Sequence, residues 1–218
     1  MTRTTTKITI VILKYITIVI RTSIISTQHP TKERFVSRSE QKLHTRQRIL
    51  EAAGRGFRQG GFGGIGVDGL AKAAGVTSGA FYTHFDSKTA AFRESVARGM
   101  SDLKEGIRHF QTSYGPSCWA EFVKFYLGAK RKCELPESCA LQSLAPEVTR
   151  SDATARAEFE TELLAVATLI ASGPAATDAP VTIGAAMAAL STLAGAVILD
   201  TAVAKGPNTW YLPVSPIV

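Results

Sequence analysis

The chain has 218 residues, 45% of them hydrophobic, a net charge of +7 and three cysteines. That is enough for a real core in one large domain or two small ones, and too little cysteine for a disulfide-stapled secreted scaffold, so a reducing, cytoplasmic setting is expected. The basic excess lies in front: residues 1–39 carry seven Lys/Arg against one acid and residues 40–100 nine against five, whereas residues 101–218 carry nine against twelve. A basic front on an acidic back is the pattern of a polyanion-binding unit joined to a different one.

Residues 1–42 read as an N-terminal extension. Within it, ITIVILKYITIVI (residues 8–20) opens an apolar run that reaches Ser26. Lys14 in its middle would cost about 3 kcal/mol in a membrane-spanning helix, and no small-residue cleavage site follows. The polar stretch 27–44 leads to the expectation that translation starts near Val36 and that residues 1–35 are not part of the mature chain. A membrane anchor through residues 8–26 is the rival reading.

Helical patterning begins with Thr45, read as an N-cap. Ile49, Ala53 and Phe57, at i, i+4 and i+8, make one apolar face, and Gly60-Gly61 ends the helix. Arg46, Arg48, Arg55 and Arg58 lie on the other positions. Those nearest the helix start are the phosphate candidates, because free amides there also attract anions; an ordinary solvated face is the plainer alternative.

The most informative stretch is GGFGGIGVDGLAKAAGVTSGAFYTHFDSK, Gly60 to Lys88. Val67, Leu70, Ala71 and Ala74 give a short apolar helical face. Gly75 permits a left-handed turn, and Val76 is its buried residue. Thr77 caps a second short helix that turns Phe81 and Phe85 inward. Ser78, Gly79 and Ala80 let its front approach a surface closely, and Tyr82, Thr83 and His84 face outward. Ser87 caps a third helix opened by Lys88. Two short helices on a tight turn are helix-turn-helix logic, in which the second helix enters the major groove N-terminus first. Taken singly, Tyr82 and His84 read better as packing residues; together with Gly75 in the turn and a basic flank, the balance reverses.

The run GVDGLAKAAGVTSGAFYTHFDSK resembles the DNA-binding domain of TetR-type transcriptional repressors. The matching parts are Ala71 to Val76, Tyr82-Thr83-His84-Phe85 and Lys88, and the likeness covers roughly residues 43–98. Where the family often carries Thr or Ser before the second helix, this chain has Gly63, Gly64, Gly66 and Gly69. The resemblance implies an all-α protein: a three-helix DNA-binding domain at 43–90, a helical ligand-binding and dimerisation domain at 91–205, and an irregular tail at 206–218. It further implies a homodimer on a palindromic double-stranded operator, released by a small-molecule effector. The DNA-binding residues carried over are Thr45, Arg46, Thr77, Ser78, Gly79, Tyr82, Thr83, His84 and Lys88.

Beyond Lys88, Phe92, Val96, Leu103, Ile107 and Phe110 continue a helix that Gly115-Pro116 breaks. Trp119, Phe122, Val123 and Tyr126 give another. Pro136 and Pro146 punctuate the next region. Phe159, Leu163, Val166 and Ile170 form a stripe ended by Gly173-Pro174. Residues 181–204 form an Ala-rich helix that is apolar nearly all round, which demands burial, against a partner in a chain this short. Trp119, Phe122 and Tyr126 are ligand-pocket candidates, with plain core packing as the alternative. Cys133 and Cys139 lack neighbouring His or Cys for a metal site, and no cofactor motif or nucleophile elbow is present, so neither a metal, a cofactor nor an enzyme is expected. A ligand-binding scaffold that has lost DNA binding remains a further alternative.

Overall fold

The computed structural model describes residues 37–176 and 178–203. The apolar run at 8–26, the expected start near Val36 and the tail from 206 lie outside them. The chain divides into two units between Gln41 and Lys42, and the buried core and every helix after the first lie wholly in the second. Among the described residues every regular element is helical.

Helix α1 runs Arg38–Gly64, with a kink at Gly61, whose φ of 71° and ψ of 176° are non-helical. Its start corrects the sequence reading. Ser37 Oγ accepts from Glu40 N at 3.1 Å, while Glu40 Oε2 accepts from Ser37 N at 2.8 Å. This reciprocal cap places Thr45 inside the helix, so it caps nothing and no free amides stand beside Arg46. The expected stop at Gly60-Gly61 appears as the kink. Ile49, Ala53 and Phe57 are fully buried, as the spacing required.

Helices α2 (Val67–Ala73) and α3 (Ser78–His84) follow, then the long α4 (Lys88–Tyr114). Three rings lock α1 onto α4: Phe57 and Phe62 each meet Phe92 edge-on at 5.3 Å between centroids. Such pairs add about 1 kcal/mol each beyond the area they bury. Gly115, in the left-handed region at φ 51°, and Pro116 end α4 as expected.

Helix α5 spans Cys118–Leu127, α6 Ala140–Thr149, α7 Ala153–Ala171 and α8 Ile183–Ala202. Pro146 does not break the chain as its punctuation reading implied; it sits inside α6. The helix survives the missing N–H because Leu141, Leu144 and Val148 are all buried in the core, and packing outweighs the local penalty. Helices α4 to α8 share one core, to which α4 contributes Val96, Met100, Leu103, Ile107 and Phe110.

Helix α8 is only half buried within one chain. Ala186, Leu190, Leu193 and Val197 face the core, while Ile183, Ile198 and Leu199 are exposed. By length and hydropathy α8 would pass for a membrane span. Near its end, however, Asp200 pairs with Arg131 at 2.5 Å, with both side chains largely buried.

Candidate nucleic-acid interface

The sequence builds a rigid seat for α3. Gly75 takes φ 66°, a conformation that favours glycine, and a Cβ there would lie 2.9 Å from Arg48 Nη2 and push that guanidinium off its carbonyls. The turn closes with Gly75 N donating to Lys72 O at 3.0 Å and Val76 N to Ala71 O at 2.9 Å. Arg48 Nη2 donates to Ala74 O at 2.5 Å and to Gly75 O at 3.3 Å. Thr77 Oγ1 accepts from Ala80 N at 3.1 Å and starts α3. Phe81 and Phe85 are buried beneath it, their rings 5.6 Å apart.

The outer side of α3 carries Thr77, Gly79, Tyr82 and Thr83, all exposed. Tyr82 stands edge-on to Phe81 and is 55% exposed, which leaves its phenol in solvent. Thr83 Oγ1 donates back to Gly79 O at 3.1 Å, so its hydroxyl oxygen keeps acceptor capacity outward. Ser78 Oγ donates to Asp68 Oδ1, tying the first turn of α3 to α2.

The basic groups divide by geometry. Lys88 lies with Nζ 4.4 Å from the Phe62 ring centroid, a cation–π contact at the first position of α4, and Ser87 Oγ caps that helix by accepting from Ala90 N at 3.0 Å. Arg46 is committed elsewhere. Its guanidinium pairs with Glu94 at 2.5 Å and sits 4.7 Å over the Phe85 ring. Arg58 donates to Pro136 O at 2.6 Å, and Arg55 pairs with Glu137 at 2.9 Å; both turn toward the segment after α5. His84 is half buried with Nδ1 unpartnered, and desolvation, with help from Lys42 and Arg46, holds its pKa below the usual histidine value.

Residues 49–94 match the family described as bacterial regulatory proteins, tetR family. The HTH-type transcriptional regulator AcrR of Shigella flexneri is 37% identical over 75 residues, 34% of this chain and 35% of that protein. The probable acrEF/envCD operon repressor of Escherichia coli K12 is 43% identical over 71 residues, 33% of this chain and 32% of that one. Residues 49–94 therefore carry a tetR-family DNA-binding region, the part of the chain these relatives share.

These matches span about a third of the relatives' length, and the rest of the likeness lies in shape. The reduced form of E. coli NemR superposes with a TM-score of 0.61 at 20% identity, covering 72% of this chain and 87% of that one. A TetR family transcriptional regulator from Agrobacterium tumefaciens gives 0.62 at 16% identity, covering 75% and 90%. At these identities the agreement concerns fold alone. It confirms the tetR architecture: an N-terminal helix-turn-helix on a C-terminal helical domain.

The three aromatic candidates of the helical domain separate. Trp119 and Phe122 line a cleft with Ile107, Phe110, Gln111 and Pro174, whereas Tyr126 is outside it. Tyr126 is buried, and its hydroxyl donates to Gln142 Oε1 at 3.2 Å. Burial raises the pKa of Cys118 and of Cys133, which keeps both thiols protonated at neutral pH. Among the described residues no group of His, Cys, Asp or Glu is arranged to hold a metal.

Sequence reasoning offered Arg48 to phosphate or solvent and missed its structural role. Its role depends on a bond to backbone carbonyls 26 positions away, which neither periodicity nor residue type announces. The cap of α1 was visible as Ser37-x-x-Glu40, a spacing that outranks a lone Thr45.

Proposed function

We propose that this chain is a homodimeric, sequence-specific DNA-binding transcriptional regulator of the tetR family, a cytoplasmic repressor released by a small-molecule effector. The observation that carries this reading is the outer side of α3. Thr77, Gly79, Tyr82 and Thr83 stand exposed on a helix seated by Gly75 and Arg48, with Lys88 beside it. In that arrangement α3 enters the major groove. Tyr82, Thr83 and the α3 N-terminus meet base edges or phosphate, and Lys88 meets phosphate. Thr77 and Ser78 set the helix start, and Gly79 lets the backbone approach. Thr45 and Arg46 lie further back, Arg46 acting through Glu94 and Phe85. His84 meets phosphate at the end of α3.

The DNA-reading unit takes residues 43–90, and the effector and dimer unit residues 91–205. Names of the relatives support repression: one is a transcriptional regulator and another a probable operon repressor. The exposed side of α8 supports pairing, since an apolar helix half in water needs a second surface. Trp119 and Phe122 in their cleft are the effector contacts. Tyr126, behind them, shapes the wall.

Selection of bound DNA from a random pool by the full chain tests this. An enriched palindrome is expected, with half-sites about one helical turn apart. A pool with no enriched sequence overturns the reading and favours a ligand-binding protein that has lost DNA recognition.

A further inference from the structure

The segment between α5 and α6 touches both α1 and α8. It is closed on itself: Cys133 Sγ donates to Lys130 O at 2.8 Å, and Lys130 Nζ donates to Glu137 O. Glu137 N donates to Glu134 O at 2.9 Å, and Ser138 Oγ to Leu135 O at 2.6 Å. Those bonds make residues 130–138 a compact knot rather than a slack loop.

On one side the knot holds α8. Arg131 Nη1 meets Asp200 Oδ1 at 2.5 Å, with side chains only 20% and 16% exposed. Arg131 Nε is buried with no partner. A guanidinium withdrawn from water with a donor left unmet is held at a cost, so this contact is poised rather than secure.

On the other side the knot holds α1. Arg58 Nε donates to Pro136 O at 2.6 Å, and Arg55 pairs with Glu137 at 2.9 Å. Desolvation lowers the pKa of Arg58, the mark of a cation drawn in for position. Separately, in the last turn of α6, Glu147 Oε2 accepts from Phe62 N at 3.1 Å, which pins the kink at Gly61. Phe62 in turn packs on Phe92 and lies under Lys88. Continuous contact therefore runs from the last turn of α8 to the residue at the edge of the reading head.

We propose that residues 130–138 are a strut that sets the position of the DNA-reading helices from the last turn of α8, with Arg131 and Asp200 as positioning residues at its far anchor and Arg58 at its near one. The proposal rests on the reading of the chain as a DNA-binding dimer. Under it, a shift of α8 is passed to α1, and loss of the Arg131–Asp200 pair frees the reading head without touching it.

Two measurements on the full chain test the strut. The first needs no DNA. Hydrogen exchange of Asp200→Asn is compared with wild type and with Glu121→Gln, which removes an exposed pair to Lys124 on α5. Faster exchange is expected across residues 57–64 in Asp200→Asn and not in the control; unchanged exchange there overturns the strut even if no DNA target is ever found. The second uses the operator selected by wild type. Asp200→Asn should weaken operator affinity about tenfold, within the range of ordinary site-to-site coupling, and leave affinity for random-sequence duplex unchanged. Arg131→Lys should restore part of what Arg131→Gln loses. Combining Asp200→Asn with Arg58→Gln should add little to either alone, since both cut one path. Losses that multiply independently overturn the proposal, as does a loss that falls equally on operator and random DNA. Failure of wild type to select a palindrome strikes the DNA reading alone, and the exchange experiment still decides the strut.

Discussion

Arg48 Nη2 donates to the carbonyl oxygen of Ala74 at 2.5 Å, across the turn that joins α2 to α3. The same nitrogen reaches Gly75 O at 3.3 Å. A cation at the C-terminal end of α2 also sits where the helix dipole favours it. Arg48 therefore orients α3 from beneath and directs its charge to protein rather than to phosphate.

Arg48→Met should loosen that turn. Hydrogen bonds from a charged donor are worth about 1.5–3 kcal/mol, and partial exposure places this one at the low end. Operator affinity should fall about tenfold, by the equivalence of 1.4 kcal/mol and one decade, with the salt slope unchanged because no phosphate contact is lost. A salt slope reduced by about one would instead make Arg48 a phosphate ligand.

Lys88 should behave in the opposite way. Lys88→Gln removes a charge from the start of α4 and is expected to weaken operator and random DNA alike, lowering the salt slope by about one. Tyr82→Ala should spare the slope and fall mainly on the operator. Titrations at several salt concentrations separate the two. Unchanged specific affinity in the combined Tyr82→Ala, Lys88→Ala variant would remove both from the interface.

The sequence was legible where one short-range rule decided the outcome. Gly75 in the left-handed region, the caps Thr77 and Ser87, and the inward pair Phe81 and Phe85 follow from local chemistry, and the structure has them all. Errors arose where tertiary contacts decide. Pro146 reads as a break, but three buried apolar neighbours carry α6 through it. Arg46 reads as a basic surface residue, yet Glu94 and Phe85, far along the chain, claim its guanidinium. Tyr126 shares a helical stripe with Trp119 and Phe122; Tyr126 and Phe122 are both buried in the core, and only Phe122 and Trp119 also reach the cleft.

Gly66 is the N-cap of α2, extended at φ −88° and ψ 169°, with no side-chain hydrogen bond. A Cβ there would meet nothing within 4 Å. Gly66→Ser should therefore cap α2 and raise stability by a few tenths of a kcal/mol, the usual margin of Ser over Gly. Its hydroxyl also stands at an exposed helix start, so operator affinity should rise with no change in salt slope. Thermal melts and DNA titrations check both; a lower melting temperature would show that the glycine is needed for its backbone.

His84 gives a pH signature. Its folded-state pKa is lowered, chiefly by desolvation, whereas the unfolded chain titrates near the ordinary value of about 6.5. As pH falls below that value the unfolded state takes up its proton first. The stabilisation is complete above about pH 6.5 and is lost as pH falls toward the folded-state value. Melting temperature should therefore drop over this window in wild type and drop less in His84→Gln. DNA binding should move the other way, because a phosphate beside His84 favours the imidazolium, so operator affinity should increase over the same fall in pH. Parallel pH profiles in the two proteins would dissociate His84 from both effects.

The unpaired side of α8 makes the last prediction. Leu199 is 70% exposed, and Gly184, Ala188, Ser191 and Thr192 on the same helix are exposed and small. Leu164 of the adjacent α7 is 50% exposed. Small residues let two helices approach closely, and a buried leucine contributes about 1.5–3 kcal/mol. A two-fold interface uses each residue twice. Leu199→Glu would bury two like charges near the axis, whereas in an isolated chain it would merely exchange one solvated side chain for another. Sedimentation should therefore show wild type as a dimer and Leu199→Glu shifted toward monomer, with helical content unchanged. Operator affinity should fall with the dimer, since one half-site alone binds weakly, while affinity for random DNA per chain should persist. A Leu199→Glu protein that stays dimeric would move the interface off α8 and leave its exposed apolar side without a partner.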